Sequence, residues 1–297
     1  MLDERLLAFV SRHSHLFVLT GAGCSTGSGI PDYRDRNGDW KRPAPVDFQS
    51  FCAHHHVRQR YWARSLVGWQ HFGRARPNPA HQALRDLESC GRLSMLVTQN
   101  VDGLHQAAGH RNVIDLHGRL DRIRCLQCGL VSDRTAFQQH LSDANPGWSS
   151  LQALQAPDGD ADLEGIDFSS FEVPQCNRCG GLLKPDVVFY GENVPRPRLA
   201  LAMDALQSSD AVLVVGSSLM VLSGLRFVRN AVQMGLPVAA INLGRTRADD
   251  LISLKIEQTC TDALPALAER LISPTLAQAL PTCPNRAIIE CLRHTRP

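Results

Sequence analysis

Leu16-Phe-Val-Leu-Thr-Gly-Ala-Gly-Cys-Ser-Thr-Gly-Ser-Gly-Ile-Pro-Asp-Tyr-Arg34 is the stretch that decides the fold. Leu16–Thr20 is too short and too evenly apolar for an amphipathic helix, and it stops at Gly21-Ala22-Gly23. It reads as a strand buried on both faces that runs into a glycine turn. The pattern recurs at Met95–Thr98, at Ala211–Val215 before Gly216, and at Val238–Ile241 before Asn242. Stretches with helical spacing lie between these runs: Leu2–Val10, Pro79–Ser89, Arg198–Gln207 and Gly224–Met234. Alternating strands and helices predict an α/β protein built on a Rossmann-like parallel sheet with helices on both faces. Ligands of such sheets bind beyond the carboxyl ends of the strands, where these turns gather.

Two regions break the alternation. Residues 46–72 are rich in His, Arg, Trp and Phe and predict inserted helices, whereas 119–183 contains Cys125-x-x-Cys128 and Cys176-x-x-Cys179. The expected organisation is a discontinuous nucleotide-binding domain (1–45, 73–118 and 184–273) and a small domain that is part helical and part zinc-binding (46–72 and 119–183). A tail, 274–297, receives no role. Within the second insertion Ala144–Ser170 is rich in Asp, Gly, Ser and Pro and reads as a long exposed excursion.

Two residues between cysteines let both thiolates of one turn reach a tetrahedral ion, and two such turns complete a closed four-sulfur site. Cys125, Cys128, Cys176 and Cys179 are therefore expected to hold one structural zinc. The six other cysteines of the ten read as ordinary thiols.

The turn after Thr20 departs from the dehydrogenase pattern: Thr26 stands where G-x-G-x-x-G requires its third glycine, and no acidic residue ends a second strand about twenty residues on. Hydride transfer is disfavoured. Gly216-Ser217-Ser218 and Asn242-Leu243-Gly244, each after a strand, are candidate phosphate and ribose contacts; as isolated motifs both are equally simple strand-ending turns.

The chain has 297 residues, 43% of them hydrophobic and 20% charged, with a formal net charge of +2. That balance gives no field suited to a dedicated nucleic-acid binder. No apolar run approaches the roughly 20 residues needed to cross a bilayer, and the N-terminus lacks a leader pattern. The expectation is a cytoplasmic protein with neither membrane nor nucleic acid as partner.

Gly21–Arg34, Thr98-Gln-Asn-Val-Asp-Gly-Leu-His105, His117-Gly118, the two C-x-x-C pairs, Gly216-Ser-Ser218 and Asn242 resemble, in this order, the motif set of sirtuins, from about residue 10 to residue 270. Tyr33, Leu183–Glu192 and Ile241–Asp250 look closest to the class II branch, which includes the mitochondrial lipoamidase-type sirtuins. The resemblance implies an NAD-dependent protein lysine deacylase that releases nicotinamide, O-acyl-ADP-ribose and free lysine, with acyl-lysine proteins as partners. It implies that His117 is the general base for a ribose hydroxyl, with Asn100 and Asp102 organising the reactive end of NAD. It also implies NAD contacts from Gly21, Ala22, Gly23, Ser25, Asp32, Tyr33, Arg34, Gln99, Val101, Gly216, Ser217, Ser218, Asn242, Leu243, Gly244 and Cys260. By the same resemblance Val187–Gly191 and Met220–Ser223 sandwich the substrate peptide as an added strand.

Tyr61-x-x-Arg64 has the spacing with which malonyl- or succinyl-removing sirtuins receive an acyl carboxylate, although the surrounding helix differs from theirs; the alternative is a solvated helix face. His54-His55-His56 reads as a solvated face rather than a metal site. Mono-ADP-ribosylation of proteins on the same scaffold, and a non-catalytic NAD sensor, remain the competing functions.

Overall fold

The computed structural model describes residues 2–43, 45–151, 154–155, 159–163 and 165–272. The tail that received no role lies outside them. In chain order, α1 (Glu4–Arg12) leads into β1 (Leu16–Thr20), and the helical insertion follows as α2 (Phe48–Ala53) and α3 (His55–Phe72). Next come α4 (Pro79–Ser89), β2 (Leu93–Thr98), α5 (Leu104–Ala107), β3 (Val113–Asp115), β4 (Gly118–Cys125), β5 (Val131–Asp133) and α6 (Arg134–Ala144). After them lie the short strands β6 (Leu154–Gln155) and β7 (Ala161–Asp162), then β8 (Leu183–Val187), α7 (Arg196–Gln207), β9 (Ala211–Val215), α8 (Leu222–Gln233), β10 (Val238–Ile241), β11 (Leu254–Ile256) and α9 (Cys260–Ile272).

Six strands form one sheet in the order β11-β10-β9-β1-β2-β3, and every pairing in it is parallel. Its two faces separate by the period of two that strands impose. Leu16 and Val18 of β1, with Leu213 and Val215 of β9, pack against α1, α4 and α9. Phe17 and Leu19, with Val212 and Val214, pack against α7 and α8. Because helices cover both faces, all five residues of β1 and of β9 are buried. That is why these strands appear in sequence as unbroken apolar runs rather than as alternation.

β4 pairs antiparallel with β5 and β8 in a separate three-stranded sheet. Phe51, Trp62, Leu66, Ile123, Phe137, Leu141 and Phe171 form an aromatic-rich core between it and α3 and α6. Arg134 is 1% exposed in this core. Its guanidinium donates to Gln138 Oε1 and to Ser65 O and Oγ, and lies 4.8 Å over the Trp69 ring.

Two expectations need correction. Val187–Gly191, whose Val-Val-Phe-Tyr run reads in sequence as a β-prone segment, is not a strand along its length: β8 ends at Val187, and Val188–Gly191 contributes one bridge, Tyr190 to Asp47. The excursion at 144–170 is not simply exposed, because Gly159, Asp160, Ala161 and Leu163 are buried. Ala161 and Leu163 pack on Val67 of α3. A few apolar residues at the right places are enough to seat a segment whose overall composition is polar.

Candidate active site and zinc knuckle

A cavity of about 1290 Å³ opens at the carboxyl ends of β1, β2, β9 and β10. It runs from Asn242 and Leu243, past Gly21–Gly23, Gln99–Val101 and Gly216–Ser218, to His117, Leu120 and Val187–Asn193. This volume exceeds the usual range for a single small ligand.

Its central wall is two glycine turns pressed together. Gly23 N–H donates to Gly216 O at 2.8 Å, and Gly21 N–H to Val215 O at 3.0 Å. A Cβ on Gly21 would lie 2.7 Å from Ser217 Cβ, and one on Gly216, whose φ is +59°, would lie 2.3 Å from Cys24 N. These glycines are required by contact between the turns as well as by any approach of a phosphate.

Behind the wall, Ser25 Oγ donates to Asp102 Oδ2 at 2.7 Å and Leu104 N–H donates to Oδ1 at 2.9 Å. Burial raises the Asp102 carboxyl above the ordinary range, and these two donors oppose the rise. Asn100 Nδ2 donates to Gly21 O and to Ser25 Oγ, each at 3.0 Å. With both amide hydrogens turned inward, Oδ1 is left as the acceptor of that side chain. Gln99 Nε2 donates to Ser217 Oγ at 2.8 Å, and Gly224 makes room for it, since a Cβ there would meet Gln99 Oε1 at 2.2 Å.

His117 Nδ1 lies 2.9 Å from Gln99 O, and Nε2 lies 2.7 Å from Ser223 Oγ. A carbonyl oxygen only accepts, so Nδ1 carries the proton and Nε2 presents its lone pair to the Ser223 hydroxyl. Burial pushes the His117 pKa down to about 4; the bond to Gln99 O works against this and the Arg198 charge adds to it. The imidazole is therefore a neutral base at neutral pH.

The segment 32–41 folds over the cavity mouth. Arg34 Nη1 donates to Gly38 O at 2.7 Å, and its guanidinium lies 3.9 Å over the Trp40 ring. Trp40 meets Tyr33 and Tyr190 edge to face at 6.2 and 5.7 Å. Lys41 pairs with Asp32.

In the small sheet, Cys125 Sγ lies 3.5 Å from Cys179 Sγ and Cys128 Sγ lies 3.7 Å from Cys176 Sγ. All four sulfurs fall within 4.8 Å of one another. Zinc–sulfur bonds of about 2.3 Å in a tetrahedron place sulfurs about 3.8 Å apart, so the donor set and its spacing fit one structural zinc. The two turns match: Gly129 N–H donates to Cys125 O and Gly180 N–H to Cys176 O, with φ of +71° and +70° at the two glycines.

Residues 21–223 match the Sir2 family model. The chain belongs to the Sir2 family. It is 64% identical over 262 residues to NAD-dependent protein deacetylase 2 of Bradyrhizobium diazoefficiens, covering 88% of this chain and 96% of that one. It is also 64% identical over 264 residues to NAD-dependent protein deacetylase of Xanthomonas campestris pv. campestris, covering 89% and 90%. Among solved structures, a Sir2 homolog–NAD complex superposes with a TM-score of 0.71 at 29% identity, covering 95% of this chain and 96% of that one. A Sir2 complex with a deacetylated p53 peptide and 3′-O-acetyl-ADP-ribose gives 0.71 at 29% identity, covering 92% and 98%.

Within this Sir2 fold, most residues singled out in the sequence meet at the one cavity. Gly21, Ala22, Gly23, Asp32, Tyr33, Arg34, Gln99, Asn100, Val101, His117, Gly216, Ser217, Ser218, Asn242 and Leu243 line it. Ser25 and Asp102 sit behind Asn100. Gly244 packs on Arg36 O, and Cys260 is buried at the start of α9 with its thiol pushed up to about 12 by burial; neither is part of the lining.

Sequence reasoning named Ser223 only within the peptide-binding stretch Met220–Ser223 and missed it as the partner of His117, because a lone serine in the first turn of a helix carries no such signal. It also missed the buried group Cys24, His81 and His105 behind the first glycine turn. There Asn78 N–H donates to His81 Nδ1, and His105 Nε2 meets Thr20 Oγ1. His54, His55 and His56 are exposed, as expected of a solvated face. Arg64 is not a solvated residue: it is largely covered and its Nε lies 3.0 Å from Asp160 Oδ2.

Proposed function

We propose that this Sir2-family protein is an NAD-dependent protein lysine deacylase, with His117 as its general base. The observation that carries the reading is the state of His117: a neutral imidazole with Nδ1–H fixed on Gln99 O and Nε2 aimed at an exchangeable hydroxyl, inside a cavity large enough for a dinucleotide and a second ligand. Pure binding has no need of a base held this way, which weighs against a sensor. The names of the relatives agree with the activity.

Gly21–Gly23, Gln99, Gly216–Ser218, Asn242 and Leu243 would hold NAD along the strand ends, with Asn100 and Asp102 at its nicotinamide end and Asp32–Arg34 over it. When bound, NAD supplies the ribosyl carbon that the acyl oxygen attacks as nicotinamide departs. His117 Nε2 would exchange the Ser223 hydroxyl for a ribose hydroxyl and accept its proton, while Gln99 O keeps the ring oriented. The acyl-lysine would enter between Val187–Gly191 and Met220–Ser223, both of which line the cavity.

We further infer a division into a cofactor domain (1–45, 73–118, 184–273) and a small domain (46–72, 119–183), membership of the class II branch from Tyr33, Leu183–Glu192 and Ile241–Asp250, and a cytoplasmic location. No helix among the described residues is long and apolar enough to cross a membrane.

Mass spectrometry of one lysine peptide carrying acetyl, butyryl, lipoyl or succinyl groups, with and without NAD, tests the activity. NAD-dependent loss of an acyl group with formation of O-acyl-ADP-ribose is expected. ADP-ribose attached to protein, with no acyl loss, would instead establish the transferase. In His117→Ala, deacylation should fall by about 10²–10⁴-fold while NAD affinity stays within a few fold. Near wild-type turnover in that variant would remove the base from His117.

A further inference from the structure

The inner end of the cavity contains an acidic side chain that the deacylation chemistry does not use. Asp160 lines the cavity, as do Tyr61, Leu120, Val187 and Phe189, whereas Arg64 does not; the neighbouring Gly159 packs on Leu120. The Arg64 guanidinium pairs with Asp160 at 3.0 Å, with the two side chains 19% and 11% exposed. Tyr61-x-x-Arg64 thus has the spacing of a carboxylate receptor, but its positive charge is already matched by a carboxylate of the same chain.

Asp160 is seated firmly. Gly68 of α3 lets the backbone of the excursion touch the helix, since a Cβ there would lie 2.4 Å from Gly159 O and 2.5 Å from Asp160 C. A Cβ on Gly159, whose φ is +70°, would press on Leu120 and Phe72 at 3.1 Å. Ala161 and Leu163 anchor the next residues on Val67.

Resting on the deacylase reading, we propose that Asp160 and Arg64 set the acyl specificity, excluding acyl groups that end in a carboxylate and admitting uncharged ones. A dicarboxylic acyl chain reaching this end would find the Arg64 charge already engaged by Asp160 and would have to bury its own carboxylate without a cationic partner, in a cavity that apolar Leu120, Val187 and Phe189 also line. An uncharged chain carries no such cost. Arg64 is a latent receptor: with Asp160 neutralised, its guanidinium becomes the nearest partner for an incoming carboxylate, and guanidinium–carboxylate pairs are among the stronger charge-assisted contacts.

The test measures kcat/KM for butyryl-lysine and succinyl-lysine versions of one peptide with wild type, Asp160→Asn and the double variant Asp160→Asn/Arg64→Met. The wild-type succinyl-to-butyryl ratio should be below about one-tenth, Asp160→Asn should raise it at least about tenfold, and the double variant should return it towards the wild-type value. Zinc content and thermal unfolding establish that each variant is folded. A wild-type ratio near one overturns the proposal without any variant, and so does an unchanged ratio in folded Asp160→Asn. If Asp160→Asn does not fold, Asp160→Ser takes its place under the same criteria. Failure of the wild type to remove any acyl group with NAD would overturn the deacylase reading itself, and this inference with it.

Discussion

His81 and His105 make the stability of this protein pH-dependent well above the range where most carboxylates titrate. Their exposures are 0% and 1%, and among the described residues the ion pair in this group belongs to their neighbour His110, with Glu88. Burial, helped by His110, pushes His81 from 6.5 down to about 4. Burial, with His81 and His110 adding to it, holds His105 well below its ordinary value. A folded pKa below the unfolded one means that the unfolded chain takes up the proton first. The stabilisation is therefore complete above about 6.5 and is lost as the pH falls towards the folded value. Between about pH 7.5 and about pH 5.5 each ring kept neutral costs the folded state about 1.4 kcal/mol relative to the unfolded chain, and the two together about 3 kcal/mol. Asp102 and Asp115, whose carboxyls burial raises, act in the opposite sense, nearer the carboxylate range. His117 acts in the same sense as the histidine pair, but it opens onto the cavity, where water relieves part of its desolvation.

Urea unfolding at pH 7.5, 6.5 and 5.5 should show the midpoint falling by about 1 M across the series for slopes of about 3 kcal/mol per molar. His105→Asn should lose about half of that dependence. A midpoint that stays level over this interval, or a variant with the full wild-type dependence, would refute the assignment of buried neutral rings.

Three further outcomes follow from the geometry. Metal analysis should find one zinc per chain; Cys128→Ser or prolonged chelation should remove it and unfold the small sheet by near-ultraviolet circular dichroism, and metal-free protein with an intact small sheet would contradict the knuckle. Gly216→Ala combines a left-handed φ with a Cβ 2.3 Å from Cys24 N, so it should lower unfolding free energy by about 2–4 kcal/mol, and a wild-type melting temperature would count against the pressed-together turns. Gly224→Ala lies in α8, and the three atoms nearest its new Cβ all belong to the movable end of Gln99. It should leave stability within about 1 kcal/mol yet raise the KM for NAD several fold by displacing Gln99 from Ser217, and an unchanged KM would remove Gln99 from the cofactor site.

The sequence alone determined the features that repeat at short range. β1, β9 and β10 were legible because strands buried on both faces must be apolar at every position. The knuckle was legible because two ligands of one tetrahedral ion fit on one tight turn, and His117 was legible through its place in an ordered motif set. Only the tertiary structure decided what joins residues far apart in the chain. Ser223 meets His117 across 106 positions, and Asp160 comes from a segment of disordered-looking composition to cover Arg64. Cys24, His81 and His105 converge from a turn and two helices. The physical reason is that a hydrogen bond or ion pair closes through space and leaves no period in the sequence. A polar segment is seated here by Gly68, which lets two backbones touch, and by two apolar residues, Ala161 and Leu163, on Val67.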